Sequence, residues 1–241
     1  VARPFTGGPR RRSAFTARLE NTSVEGSQPR VLDDMRAAIL AGVEPPGTLI
    51  PIDAVAAFFG VSQIPVREAL KILLGEGLVE HVPHVGYSVA KLSYREFREL
   101  YEVRLALEKA ALVAAVDRAG PDDVEAARAA LLETSAALDA GDDRGYHEAT
   151  RRFHLSLIAP SGMQRLLRMY ESAWNLTEPV RPMTHVGPAQ RSAFAHDHDA
   201  MLEAFESRDA TALVALSVEH YDHLLDGIEV LSDDHDVFRE A

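Results

Sequence analysis

The stretch Gly60–Gly77, GVSQIPVREALKILLGEG, decides how this chain is read. Ser62 is placed to cap the free N–H groups of a helix start, and Pro65 suits a first turn, where its missing N–H costs nothing. Val66, Ala69, Leu70, Leu73 and Leu74 recur at helical spacing as one apolar stripe, and Gly75 and Gly77 stop the helix. A second short helix, roughly residues 52–59, precedes it across a turn containing Gly60, so the pair reads as a helix-turn-helix. In such a pair the first turn of the second helix, here Ser62 to Arg67, reaches base edges and phosphates in a major groove. The pattern alone also describes an ordinary buried helix with its polar end in solvent. Two short β-prone runs follow, Leu78–Val82 and Tyr87–Leu92, separated by Pro83-His84-Val85-Gly86. They predict a hairpin whose turn needs Gly, the wing of a winged helix.

Taken together, Val31 to Val89 resembles the DNA-binding domain of GntR-superfamily bacterial transcription regulators. The resemblance rests on a first helix, the Pro46-Gly47 pair, the GVSQIPVREAL segment and a wing tip ending in Gly86. It implies that Ser62, Gln63, Pro65 and Arg67 form the base- and phosphate-contacting turn, with His84 and Gly86 at the wing tip. Three positions depart from the family pattern. Gln63 stands where Arg is usual, Ile64 where Thr is usual, and Asp53 where some members carry a DNA-contacting Arg. Gln favours adenine over guanine through its bidentate amide, so the operator is expected to differ from the commonest family half-site.

Composition bounds the rest. The 241 residues suit one or two domains, and the absence of Cys excludes disulfides, thiolate metal sites and a Cys nucleophile. No apolar run is long enough to span a membrane, and the N-terminal residues lack a signal-peptide core, so a cytoplasmic location is expected. The net charge of −12 is unevenly spread: residues 1–28 carry +3, residues 29–92 carry −2 and residues 93–241 carry −13. Phosphate affinity comes mainly from Lys and Arg, so residues 29–92 are poorly charged for a DNA-binding domain. Residues 1–28, with Arg10-Arg11-Arg12, read as a flexible basic arm.

After the wing, Ser93-Tyr94-Arg95-Glu96 is a capping box opening a helix that ends near Gly120-Pro121. Further helices are expected near 122–140, 143–159, 162–177, 189–207 and 209–231, with no strand beyond residue 92. The fold expected is mainly α: a winged helix-turn-helix over residues 29–92, then an all-α antiparallel bundle over 93–241.

Three histidines in that bundle lie on apolar helix faces. His154 sits with Leu157 and Ile158, His198 with Met201, Leu202 and Phe205, and His220 with Leu213, Leu216 and Leu224. Core histidines hydrogen-bonded to neighbours and histidines converging on a cation both fit this pattern. Arg104 also lies mid-helix between apolar neighbours and needs an anionic partner, either an internal acid or a bound carboxylate. Tyr170, Trp174 and Asn175 on a middle helix are candidates for the same pocket.

LYEVRLALEKAAL (Leu100–Leu112), RRFHLSLIAPSG (Arg151–Gly162) and HDAMLEAFESRDATALVALSVEH (His198–His220) resemble the FCD ligand-binding domain of the FadR-type GntR branch. The resemblance implies a divalent metal held by His154, His198 and His220, with Thr150 at the usual Asp position. His147, or a water on Thr150, is then expected to complete the shell. Nitrogen and oxygen donors suit Zn, Ni or Mn. It also implies a small carboxylate effector on Arg104 and a homodimer on an operator, commonly as a repressor. Two rivals remain: a metal-dependent enzyme on a three-His bundle, and a degenerate regulator acting as an interaction module. The first lacks an HExxH-type motif and leaves the winged helix unexplained. Gln63, Ile64 and Asp53 keep the second open.

Overall fold

Residues 31–42 and 44–240 are described by a computed structural model of the chain. The expected basic arm, residues 1–28, lies outside them. The described residues form two compact units that divide between Lys91 and Leu92.

The first unit opens with α1 (Val31–Leu40), which buries Met35 and Ile39. A two-residue strand, β1 (Leu49–Ile50), leads into α2 (Ile52–Phe59). Gly60 ends α2 in the left-handed region at φ 64°, where a side chain would be strained. Helix α3 (Gln63–Gly75) buries Val66, Ala69, Leu70 and Leu73. Leu74, expected in that stripe, is 42% exposed, because the stripe turns inward on the i, i+3, i+4, i+7 set alone. Ser62 occupies the N-cap position with extended backbone, yet its side chain makes no capping hydrogen bond. The hairpin forms from β2 (Val79–Val82) and β3 (Gly86–Val89), with Val82 opposite Gly86 and His81 opposite Tyr87. Its turn places His84 at φ 65° and Gly86 at φ 126°. Strand β1 pairs antiparallel with β3, so the sheet order is β1-β3-β2. Two residues are too few to show a strand alternation in the sequence.

The second unit contains α4 (Tyr94–Arg118), α5 (Pro121–Ala140), α6 (Asp143–Ile158), α7 (Gln164–Thr177), α8 (Pro188–Glu206) and α9 (Ala210–Ile228). The capping box on α4 is complete: Glu96 accepts from the Ser93 N–H at 2.8 Å, and Ser93 Oγ accepts from the Glu96 N–H at 3.3 Å. At the other end of α4, Arg208 donates to the Val116 and Ala119 carbonyls at 3.0 and 2.7 Å, satisfying groups a helix C-terminus leaves free. Helix α4 packs on α6, α7 and α9, which makes it the central element. Two apolar clusters result. One gathers Leu112, Phe153, Leu157, Met201 and Phe205, and the other Phe97, Tyr146, Phe194, Leu224 and Phe238. Along α4, α6, α8 and α9 a layer of buried polar residues separates the two clusters: Arg104 and Glu108, His154, His198, and His220.

Candidate functional site

The first unit presents the start of α3 to solvent. Ser62, Gln63, Pro65 and Arg67 are all exposed, as is His84 on the wing. Arg67 and the wing residues His84 and Gly86 line one groove, together with Asp53, His81 and Tyr87; Ser62, Gln63 and Pro65 are outside its wall. The Gln63 amide is already engaged. Its Nε2 donates to Asp53 Oδ1, and its Oε1 accepts from Arg67 Nη2 at 3.4 Å. A carboxylate only accepts, so the amide must face Asp53 with its NH2. Gln63 therefore does not present the free donor-acceptor pair that reads adenine, and Asp53 is the reason. Arg36 is tied to Glu76 through two bonds of 2.9 and 2.6 Å, and Lys71 to Glu68 at 2.8 Å. These pairings further reduce the positive charge this unit offers.

The second unit brings the three expected histidines together. One ring nitrogen from each of His154, His198 and His220 lies within 4.8 Å of the others, and all three residues are buried. His198 Nε2 and His220 Nε2 are 3.3 Å apart. The far nitrogens of two rings are held by carboxylates. His154 Nδ1 lies 3.1 Å from Glu108 Oε1, and His220 Nδ1 lies 3.2 Å from Asp197 Oδ2. A carboxylate there fixes Nδ1 as the protonated atom and leaves the Nε2 lone pair facing inward. Burial, then the neighbouring imidazoles, hold His198 well below the usual histidine range. Burial also lowers His220, with Asp197 opposing. Both rings are thus neutral donors.

Thr150 Oγ1 and Tyr146 Oη are buried beside these rings without hydrogen-bond partners, and both residues line the same cavity. Burial pushes the Tyr146 hydroxyl up to about 12. Converging imidazole nitrogens with orphaned hydroxyl oxygens are a donor set that fits a divalent cation of the zinc or nickel type. The cavity measures about 20 Å³ as the space open to the centre of a water-sized sphere. That is room for one ion or water. His147 lines this cavity too, but its Nε2 pairs with Glu178, which also takes Arg151 at 3.3 Å. The expectation that His147 completes a metal shell is corrected on that ground.

Arg104 also lines the cavity and is 3% exposed. Its guanidinium carbon lies 3.4 Å from the Trp174 ring centroid and 4.6 Å from that of Tyr101. Arg104 Nε and Trp174 Nε1 have no hydrogen-bond partner. Tyr170 and Asn175, expected in the pocket, are not in its wall. Tyr170 donates its hydroxyl to Glu108 and lies 3.3 Å from the Tyr221 hydroxyl.

Glu108 is the residue the sequence reading missed. It is fully buried and accepts from Tyr170 Oη, from Tyr221 Oη at 2.9 Å, from Ser217 Oγ at 3.1 Å and from His154. Burial raises a carboxyl pKa, but His154 and the two tyrosine hydroxyls outweigh it and bring Glu108 down to about 2. The available signal was its place one turn after Arg104 on the same helix face.

Two family models match this chain. The model for bacterial regulatory proteins of the gntR family covers residues 28–89, and the FCD domain model covers residues 99–223. The chain belongs to the gntR family, with an FCD domain. It is 30% identical over 187 residues to the Nta operon transcriptional regulator of Aminobacter aminovorans, covering 75% of this chain and 86% of that one. It is 29% identical over 154 residues to the gluconate operon transcriptional repressor of Bacillus licheniformis, covering 63% of this chain and 60% of that one. The solved structure of Escherichia coli McbR shares the fold, with a TM-score of 0.75 at 23% identity, over 85% of this chain and 97% of that chain. This GntR regulator is accordingly a ligand-responsive, DNA-binding transcription regulator and not an enzyme. No helix among the described residues is long and apolar enough to cross a membrane.

Proposed function

We propose that this GntR regulator is a cytoplasmic homodimeric repressor whose helical unit binds a small organic acid beside a divalent metal. Residues 29–92 read the operator and residues 93–241 bind effector and form the dimer. Ser62, Gln63, Pro65 and Arg67 meet the major groove, and His84 and Gly86 meet the flanking backbone. His154, His198 and His220 hold the metal, with Thr150 adding a hydroxyl or a water held by it. The observation that carries the reading is the convergence of three buried imidazoles on a cavity that Arg104 also lines. A bound Zn, Ni or Mn ion supplies a Lewis-acidic partner for a carboxylate oxygen, while Arg104 supplies a fork of N–H donors. The name of one relative adds support: gluconate is a hydroxy acid.

The cavity of about 20 Å³ is too small for such an acid. Entry requires the cavity wall, of which stacked Arg104 and Trp174 are part, to rearrange. Elemental analysis of purified protein, then thermal-shift screening of carboxylates with and without chelator, tests the effector half. Absence of metal together with a chelator-insensitive melting curve would sink it. Anisotropy titration against the protein's own upstream region tests the DNA half. Arg67→Ala is expected to weaken binding by about 1–3 kcal/mol, and an unchanged affinity would remove α3 from the operator.

A further inference from the structure

We infer that Glu108 is the positioning residue that keeps a dication in this site, supplying through His154 the negative charge that Thr150 does not. The inference rests on the metal reading above. Among the described residues, the hydroxyls of Tyr146 and Thr150 line this cavity with the three histidines, and no carboxylate does. Arg104 adds a positive charge to the same cavity. A dication placed there needs compensating charge within a few ångströms, since unpaired charge is costly in a dry interior. Two carboxylates reach the ligand rings, and they differ. Asp197 is 15% exposed at its side chain and shares itself between His220 and the exposed His223, 3.0 Å away. Glu108 is fully buried, and three hydroxyl donors lock it in place against His154 Nδ1.

That arrangement does two things at once. The three hydroxyls hold Glu108 in one position, and its Oε1 accepts the Nδ1 proton of His154 as a hydrogen bond at 3.1 Å. His154 is thereby fixed with Nε2 toward His198 and His220 and made a stronger electron donor. Glu108 comes from α4, while Ser217 and Tyr221 in the clamp come from α9, which also carries the ligand-bearing His220. The alternative is that Glu108 is only a structural hub that neutralises Arg104. The two differ in what happens when the charge is returned elsewhere.

The test measures zinc affinity of the full chain by competition with a chromophoric chelator, with Co(II) absorption reporting the ligand set. Wild-type protein that takes up no zinc defeats the metal reading itself, before any variant is compared. Given wild-type binding, Glu108→Gln is expected to weaken affinity about 10–100-fold while far-UV circular dichroism stays unchanged. Thr150→Asp, which restores a carboxylate beside the rings, is expected to bring Glu108→Gln back to within about threefold of wild type. A folded Glu108→Gln protein with wild-type affinity overturns the proposal. So does failure of Thr150→Asp to rescue when it tightens zinc in the wild-type background. Should Glu108→Gln not fold, Ser217→Ala decides. It removes one of the donors that hold Glu108 against His154, so zinc affinity should fall at least severalfold, and wild-type affinity in a folded Ser217→Ala protein would favour the hub.

Discussion

Removing the Tyr170 hydroxyl tests the buried carboxylate more gently than removing Glu108. Tyr170 is fully buried, and its hydroxyl donates to Glu108, with the Tyr221 hydroxyl 3.3 Å away. A hydrogen bond to a charged group contributes about 1.5–3 kcal/mol. Glu108 keeps three other donors after Tyr170→Phe, and phenylalanine is easily buried, so the lower half of that range is expected. For a unit of this size each kcal/mol moves the midpoint by about 2–4 °C, which gives a fall of roughly 3–9 °C. The chain has one tryptophan, Trp174, which lies in the helical unit with its ring 5.8 Å from that of Tyr170. Its fluorescence therefore follows unfolding of this unit without contribution from the other. Tyr221→Phe removes the 2.9 Å bond and should cost a similar amount. Because both hydroxyls serve one carboxylate, the double variant should lose more than the sum, by about 0.5–3 kcal/mol. A midpoint shift under about 1 °C for Tyr170→Phe, or strict additivity in the double variant, would refute an ionised Glu108 clamped by both tyrosines.

Other expectations follow from single contacts. Asp53→Ala frees the Gln63 amide and removes a carboxylate from the groove that Arg67 and His84 line. Operator affinity should rise and adenine become acceptable at one half-site position, as read by anisotropy on a half-site series; no change in either would remove Asp53 from the contact surface. Gly60→Ala should cost the first unit about 1–2 kcal/mol in a urea melt. A Cβ at Gly60 meets nothing within 4 Å, so strain at φ 64° is the whole effect, and a neutral result would mean the turn relaxes. Acid should weaken the helical unit through Glu108. Its folded pKa of about 2 lies below the ordinary 4.5, so its contribution is complete above pH 4.5 and is lost as pH falls from there toward 2. Glu108→Gln should flatten that part of the stability profile, and an unchanged acid limb would show that Glu108 does not titrate in this window.

Much of the fold was legible because its determinants are local. The Ser93–Glu96 box, Pro121 at a helix start and the left-handed Gly60 and Gly141 lie within four residues of the boundaries they set. The three histidines were legible for a similar reason: each sits on the buried stripe of its own helix. Strand β1 was not, since a two-residue strand exists only through its pairing with β3. Nor was the state of Gln63, whose amide depends on Asp53 ten residues earlier in a different helix.

The sequence alone determined that a winged helix precedes a helical bundle, that three imidazoles and one guanidinium face the bundle interior, and that the acidic charge lies in the second half. Tertiary structure decided what those groups can do. Glu108 meets His154 across 46 residues and Ser217 across 109, and no local pattern encodes such a meeting. The same packing left Thr150 and Tyr146 without partners, turned Tyr170 away from the cavity and tied His147 to Glu178. Helical periodicity fixes which way a side chain points. Which groups it meets there, and hence its charge state and free lone pairs, is fixed only when separate helices pack.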